Sequence, residues 1–154
     1  MLKRSVQCLF LSLVAVLGGC VVANAVVDPY TNVRFEAMGN INPDATSRPS
    51  PVVVRVYELS SEDTFRSAGF FDLYDELQAI LEKDLLSMSE LVVRPGLVHV
   101  HPMQLNRKTR YIGIVAAFQG IEEAKWKLVI DARPRAYQTL NVELDGLTVN
   151  RVYN

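Results

Sequence analysis

The sequence predicts a mainly β fold, a two-sheet β-sandwich of about eight strands with one helical insertion. Three observations predict it. Short segments rich in β-branched or alternating apolar residues recur along most of the chain, and the apolar spacing changes to three and four only between residues 60 and 86. Of the 154 residues, 49% are hydrophobic, which is the composition of one ordinary globular domain.

The first two predicted strands flank a polar loop. Val33, Phe35 and Ala37 alternate with charged residues, which predicts a strand with one solvent-facing side. Residues 52–59 are too rich in valine to be anything but a second strand. The loop between them, residues 39–51, contains three prolines, which fix φ and remove backbone donors. We expect this loop to be exposed yet stiff, and either a recognition site or a plain connection.

The helical insertion is predicted at about residues 61–86. Apolar residues spaced by three and four from Phe70 to Leu85 indicate an amphipathic helix, preceded by a shorter helical turn at about residues 64–68. The carboxylates on its polar side are interpreted as solvated rather than as a catalytic pair; these are Asp72, Asp75 and Glu76. Its aromatic residues are interpreted as packing on the sheet rather than as a ligand cradle; these are Phe65, Phe70, Phe71 and Tyr74.

Six further apolar runs predict the remaining strands. They cover residues 91–93, 97–100, 111–118, 126–130, 140–144 and 147–153. The run at 111–118 is apolar on both faces, as expected of a central strand buried between two layers. Asp145-Gly146 separates the last two runs and predicts a tight hairpin turn.

The N-terminus has the pattern of a secretory signal. Two cations precede an almost uninterrupted apolar run at residues 6–17, which is too short to span a bilayer comfortably. The run ends in Leu17-Gly18-Gly19-Cys20, which resembles the lipobox of bacterial lipoproteins. We therefore expect residues 1–19 to be cleaved, Cys20 to carry the acyl groups, and residues 20–30 to tether a domain at 31–154. An ordinary signal peptide with a chance cysteine is the alternative.

Charge and motifs exclude several classes of function. A formal charge of −1 gives no reason to expect a nucleic-acid partner. The sequence contains no phosphate-binding loop and no G-x-S-x-G or S-x-x-K nucleophile motif. His99 and His101 would share one face of a strand, but a metal site needs a third ligand. We expect no metal, no cofactor and no enzyme activity; a lipid-anchored enzyme, or a metal-binding or small-ligand-binding protein using these histidines, remains the alternative.

An ordered set of segments resembles the type VI secretion system lipoprotein family, TssJ, also called SciN or VasD. The segments are Ile41-Asn42-Pro43-Asp44, Arg48-Pro49-Ser50-Pro51 leading into 52–59, Phe65, residues 68–74, residues 84–86, Arg94-Pro95-Gly96, residues 111–118 and Trp126-Lys127. Together they cover nearly the whole domain. The chain departs from the commonest family pattern at Ser47, where glycine is frequent, and at Gln119, where arginine is frequent.

The resemblance implies a transthyretin-like sandwich anchored in the outer membrane by its acylated cysteine and facing the periplasm. It also implies binding to the periplasmic C-terminal region of TssM, within a membrane complex that contains TssL. In the family the loop between the first two strands contributes to that contact. The corresponding residues here are Asn40, Ile41, Asn42, Pro43, Asp44, Ala45, Thr46, Ser47, Arg48 and Pro49.

Overall fold

The structure is a computed structural model that describes residues 28–153. Within this range, eight strands form two four-stranded sheets packed face to face, which confirms the predicted mainly β sandwich. The predicted signal peptide at 1–19, the lipidation site Cys20 and most of the tether at 20–30 lie outside the described residues. Among residues 28–153, no helix is long and apolar enough to cross a membrane.

The first sheet has the strand order β4-β1-β7-β8. Its strands are β1 (Thr31–Ala37), β4 (Val98–Met103), β7 (Gln138–Asp145) and β8 (Thr148–Val152). β1 pairs in parallel with β7 and antiparallel with β4. Gly146, with φ +55°, forms the turn between β7 and β8 in the predicted hairpin, because glycine adopts this conformation without a steric penalty.

The second sheet has the strand order β3-β2-β5-β6, and all its pairs are antiparallel. Its strands are β2 (Val52–Leu59), β3 (Leu85–Val93), β5 (Tyr111–Ala117) and β6 (Lys127–Asp131). β5 lies between β2 and β6, and residues 112–116 are buried, as predicted for a central strand. β3 is longer than the predicted run at 91–93, because residues 85 and 87–90 also pair with β2.

Alternate residues of both sheets form the main core. Val33 and Phe35 of β1 pack in one cluster with Val54 and Val56 of β2 and with Ile114 of β5. All five are completely buried. Burial of this apolar surface is the main free-energy gain on folding and fixes the two sheets relative to each other.

The helical insertion consists of three five-residue helices: the first corresponds to the short turn predicted at about residues 64–68, and the other two replace the single amphipathic helix predicted from Phe70 to Leu85. The three are α1 (Asp63–Ser67), α2 (Phe70–Tyr74) and α3 (Leu77–Leu81). Gly69, with ψ 173°, is extended and separates α1 from α2. The apolar residues of the insertion nevertheless pack against the sheet as predicted, because each helix buries one or two of them in a second core on the outer face of the second sheet. The buried residues are Phe65, Leu73, Leu77 and Leu81, which pack with Tyr57, Leu59 and Val115.

The two ends of the sandwich carry different segments. At the end where β1 begins lie the described N-terminus and the loops 104–110 and 132–137. We call this the N-terminal end. At the opposite end, where β1 finishes, lie the loop at residues 38–51 and the connections at 94–97, 118–126 and 146–147. We call this the loop end, and the segment at 38–51 the β1–β2 loop.

Candidate functional site

The base of the β1–β2 loop is built around one buried asparagine. Asn42 is 2% exposed, and its φ is +47°. Its side-chain Nδ2 donates to Pro51 O (2.8 Å), and its Oδ1 accepts from Gln119 N–H (2.8 Å). Its backbone N–H donates to Gly146 O (2.8 Å), and its carbonyl accepts from Ser50 Oγ (2.6 Å). Because buried polar groups are costly when unpaired, these bonds fix the start of the loop to its end and to two neighbouring connections.

Two further contacts complete the base. Ile41 is completely buried in the main core, and Gln119 Nε2 donates to Ser50 Oγ (2.8 Å). Asn40 lies at the surface, where its Nδ2 donates to Asp145 Oδ1 (2.7 Å). The loop is thus held at the turn between β7 and β8 as well as by its own strands.

The tip of the loop is organised by the carboxylate of Asp44. Oδ1 accepts hydrogen bonds from Thr46 Oγ1 (2.7 Å), Thr46 N–H (2.8 Å) and Arg48 N–H (3.0 Å). Oδ2 accepts from Arg48 Nε (3.0 Å) and lies 3.0 Å from Arg48 Nη2. The hydrogen bonds from the Thr46 hydroxyl and the Arg48 amide are the main causes that lower the pKa of Asp44 to about 2.

The tip presents small polar side chains and one oriented cation. Residues 45–49 are all exposed, and the side chain of Arg48 is 78% exposed although Asp44 orients it. Ser47 closes the tip with φ +61°, a left-handed conformation in which its N–H donates to Asp44 O (2.8 Å). The loop is therefore exposed and internally bonded, as a preorganised recognition surface requires, because little conformational entropy remains to be lost on binding.

The ten residues predicted for partner binding differ in exposure. Ile41 and Asn42 are buried and form the support, residues 45–49 form the exposed tip, and Pro43 and Asp44 between them are partly buried. Asn40 is exposed beside the turn between β7 and β8. Gln119 and Ser50 belong to the same support but were not predicted. The sequence did offer a signal for Gln119, since it is one of the two positions where the chain departs from the common family pattern.

The predicted histidine pair lies at the edge of the sandwich. His99 and His101 are opposite Phe35 and Val33 in the register of β1 and β4, so both lie on the core side of the sheet. His99 is exposed, whereas His101 Nε2 is 2.8 Å from Ser89 Oγ of β3 in the other sheet. Partial burial, followed by the charge of His99, lowers the pKa of His101. Within residues 28–153, no group of three or more His, Cys, Asp or Glu side chains is placed to hold a metal ion.

The aromatic residues of the insertion pack largely as predicted. Phe65 is buried against Tyr57 with ring centroids 5.3 Å apart. Phe70 stacks on Tyr74 (5.2 Å) and meets Trp126 edge-on (5.3 Å). Phe71 is the exception, because it is 65% exposed.

The comparisons with known proteins agree with this fold. The model of the T6SS-SciN family, described as type VI secretion lipoprotein, VasD, EvfM, TssJ, matches residues 29–147. The T6SS lipoprotein TssJ1 from Pseudomonas aeruginosa is 29% identical with a TM-score of 0.77, over 83% of this chain and 98% of that one. Serratia marcescens Lip, a membrane-bound component of the type VI secretion system, is 23% identical with a TM-score of 0.75, over 83% and 99%.

A third similar chain comes from a structure described as "T6SS protein TssM C-terminal domain (869-1107) from EAEC". It is 23% identical with a TM-score of 0.68, over 81% of this chain and 98% of that one, and at this identity it shows the fold alone. No curated protein matches the chain significantly by sequence.

Proposed function

The chain belongs to the type VI secretion lipoprotein family, and on that premise we propose that it ties the secretion membrane complex to the outer membrane. In this proposal residues 1–19 are cleaved, and acylated Cys20 anchors the protein through the tether at 20–30. The domain at 31–154 faces the periplasm and binds the periplasmic C-terminal region of TssM, in a complex with TssL. It is a structural component rather than an enzyme.

One observation carries the assignment of the binding site to residues 40–49. The tip is exposed, yet Asp44 bonds it internally and Asn42 fixes it to the body of the domain. A loop that only connects two strands needs neither feature. Rigidity of this kind lowers the entropic cost of association, which supports a role in protein recognition.

The position of the loop supports the same proposal. β1 leaves the described N-terminus at one end and enters the β1–β2 loop at the other, about 23 Å away for a seven-residue strand. A domain anchored through its N-terminus would therefore present the loop towards the periplasm. The description of one similar structure names TssM, which makes TssM the partner to test first.

The test is calorimetric titration of the complete mature chain, residues 20–154 with Cys20→Ser, against the periplasmic C-terminal region of TssM. Ala45 is exposed at the tip and is a site where a large side chain can be added without removing a loop hydrogen bond. We expect Ala45→Arg to weaken binding at least tenfold, because it places a bulky charge in the centre of the contact.

The matched control is Ala79→Arg, which makes the same substitution at an exposed position of α3. It should bind like the unsubstituted chain. If the Ala45→Arg variant binds TssM as tightly as the unsubstituted chain, the interface lies on another surface of the domain. If the unsubstituted chain does not bind TssM, the proposed partner is wrong.

A further inference from the structure

The N-terminal end of the sandwich carries a cluster of cations, which we call the cationic end. All five are exposed and come from the loops that join β4 to β5 and β6 to β7; they are Arg107, Lys108, Arg110, Arg133 and Arg135. The two loops lie side by side, because Arg107 lines surface depressions with Pro134 and with Arg135. The cluster is notable because the chain as a whole has a formal charge of −1.

No ion pair neutralises these charges within the part of the chain that the structure describes. Among residues 28–153, the ion pairs involve Arg34, Arg48, Arg55 and Arg66, and none involves a member of the cationic end. Two exposed carboxylates, Asp28 and Asp131, line the same depressions, and a third, buried Glu58, accepts hydrogen bonds from Asn106 N–H and Thr109 Oγ1 of the β4–β5 loop. Five exposed cations against two exposed carboxylates and one buried carboxylate leave a positive surface that is suited to a polyanionic partner.

Exposed tyrosines flank the same end. Tyr30 and Tyr137 are 45% and 47% exposed and meet edge-on with centroids 5.5 Å apart. Tyr153 is 76% exposed, with the Arg151 guanidinium 4.4 Å from its ring centroid. Tyrosine combined with arginine and lysine is the composition of protein surfaces that sit at a membrane interface, because the ring is apolar and its hydroxyl is polar.

The described chain begins at this end. Seven residues lie between Cys20 and Asp28, and the eight steps of chain from one to the other reach at most about 28 Å when fully extended. If Cys20 is acylated, as proposed above, the cationic end is confined to a short distance from the bilayer. Attraction between cations and anionic headgroups acts over a Debye length of about 8 Å at physiological salt, and a tether of this length lets the cationic end come within that distance.

We propose that the cationic end docks on the anionic phospholipid headgroups of the membrane that holds the lipid anchor. The proposal rests on the anchoring proposed above and adds a second, electrostatic contact to it. Docking orients the domain with its strands pointing away from the bilayer. The β1–β2 loop then projects into the periplasm instead of lying along the membrane surface.

The test uses the complete mature chain, residues 20–154 with Cys20→Ser, so that no acyl group contributes to binding. Co-sedimentation is measured with phosphatidylcholine vesicles, with and without one third phosphatidylglycerol. We expect binding only to the phosphatidylglycerol vesicles, and weaker binding as salt is added. Arg107→Gln with Arg135→Gln should lower the partition coefficient about 25-fold, or roughly fivefold for each charge.

The matched control is Arg94→Gln with Lys125→Gln, which removes the same charge from exposed positions at the loop end. It should change partitioning less than twofold. No binding to phosphatidylglycerol vesicles, or an equal loss in both double variants, would overturn the proposal. Titration of the same variants with TssM separates the two proposals, because Arg107→Gln with Arg135→Gln should bind TssM like the unsubstituted chain.

Discussion

The carboxylate of Asp44 determines the conformation of the loop tip. It accepts hydrogen bonds from two backbone amides and one hydroxyl and pairs with the Arg48 guanidinium. Acidic residues favour such local bonds in turns, where they replace a regular ladder. The proline content of the loop predicted stiffness, and this hydrogen-bond network adds to it.

The pH dependence of stability tests the role of Asp44. Because its pKa falls from 3.8 to about 2 on folding, the ionised carboxylate stabilises the fold above pH 3.8. This contribution is lost as the pH falls through about 2. As the pH falls from 3.8 to about 2, we expect the free energies of unfolding of the unsubstituted chain and of Asp44→Asn to approach each other. Urea unfolding at a series of pH values measures both.

A matched control for this measurement is Asp131→Asn, which removes one exposed carboxylate at the other end of the sandwich. The Asp44 interpretation would be contradicted if the unsubstituted chain and Asp44→Asn lost stability in parallel across the window.

Ser47 shows how far sequence reasoning reaches at the scale of one residue. Its φ of +61° lies in the left-handed region, where glycine pays no steric penalty and other residues pay about 1–2 kcal/mol. Glycine, which is frequent at this position in the family, adopts such a φ without strain, so the departure at Ser47 marked a position with an unusual backbone conformation. The departure from the family pattern at Gln119 marked that position, but the sequence could not reveal what the residue does, because its bonds to Asn42 and Ser50 join residues far apart in the chain.

At the scale of the elements, strands were easier to predict than the helical insertion. A strand such as β2 is marked by valine content alone, whereas residues 70–85 have the apolar spacing of one helix but form two helices and the start of β3. No glycine or proline marks the break between α2 and α3 at Asp75 and Glu76, so the sequence did not reveal it. Lys127 of β6 donates to the carbonyls of Phe65, Arg66 and Ala68 and supports the end of α1.

The contact between α1 and the second sheet depends on Gly113. A Cβ at this position of β5 would lie 2.6 Å from Cζ of Phe65, which is itself buried. We expect Gly113→Ala to lower the free energy of unfolding by roughly 1–3 kcal/mol, because the ring must move within a packed core. Urea unfolding measures the change.

Gly39→Ala is the control, because nothing lies within 4 Å of the added methyl group and the free energy of unfolding should not fall. In a Phe65→Leu background the cost of Gly113→Ala should shrink, which a double-mutant cycle detects. If Gly113→Ala lowers the free energy of unfolding by the same amount in the Phe65→Leu background, the strain does not arise from the contact with Phe65.

At the scale of the whole molecule, the fold separates two surfaces. The cationic end and the described N-terminus lie at one end of the sandwich, and the β1–β2 loop lies at the other. The sequence predicted an anchor and a stiff loop, but not that the start of the described chain at residue 28 and the loop lie at opposite ends of the sandwich. β1 runs from one end of the sandwich to the other, so the segments that precede and follow it lie at opposite ends.

Site-specific photo-crosslinking in cells that produce the full secretion complex tests this arrangement most directly. A photo-reactive amino acid replaces Ala45 at the loop tip, or Arg135 at the cationic end, in the complete lipoprotein. We predict a crosslink to TssM from position 45 and none from position 135. A crosslink to TssM from position 135, with none from position 45, would contradict the assignment of the loop as the binding site.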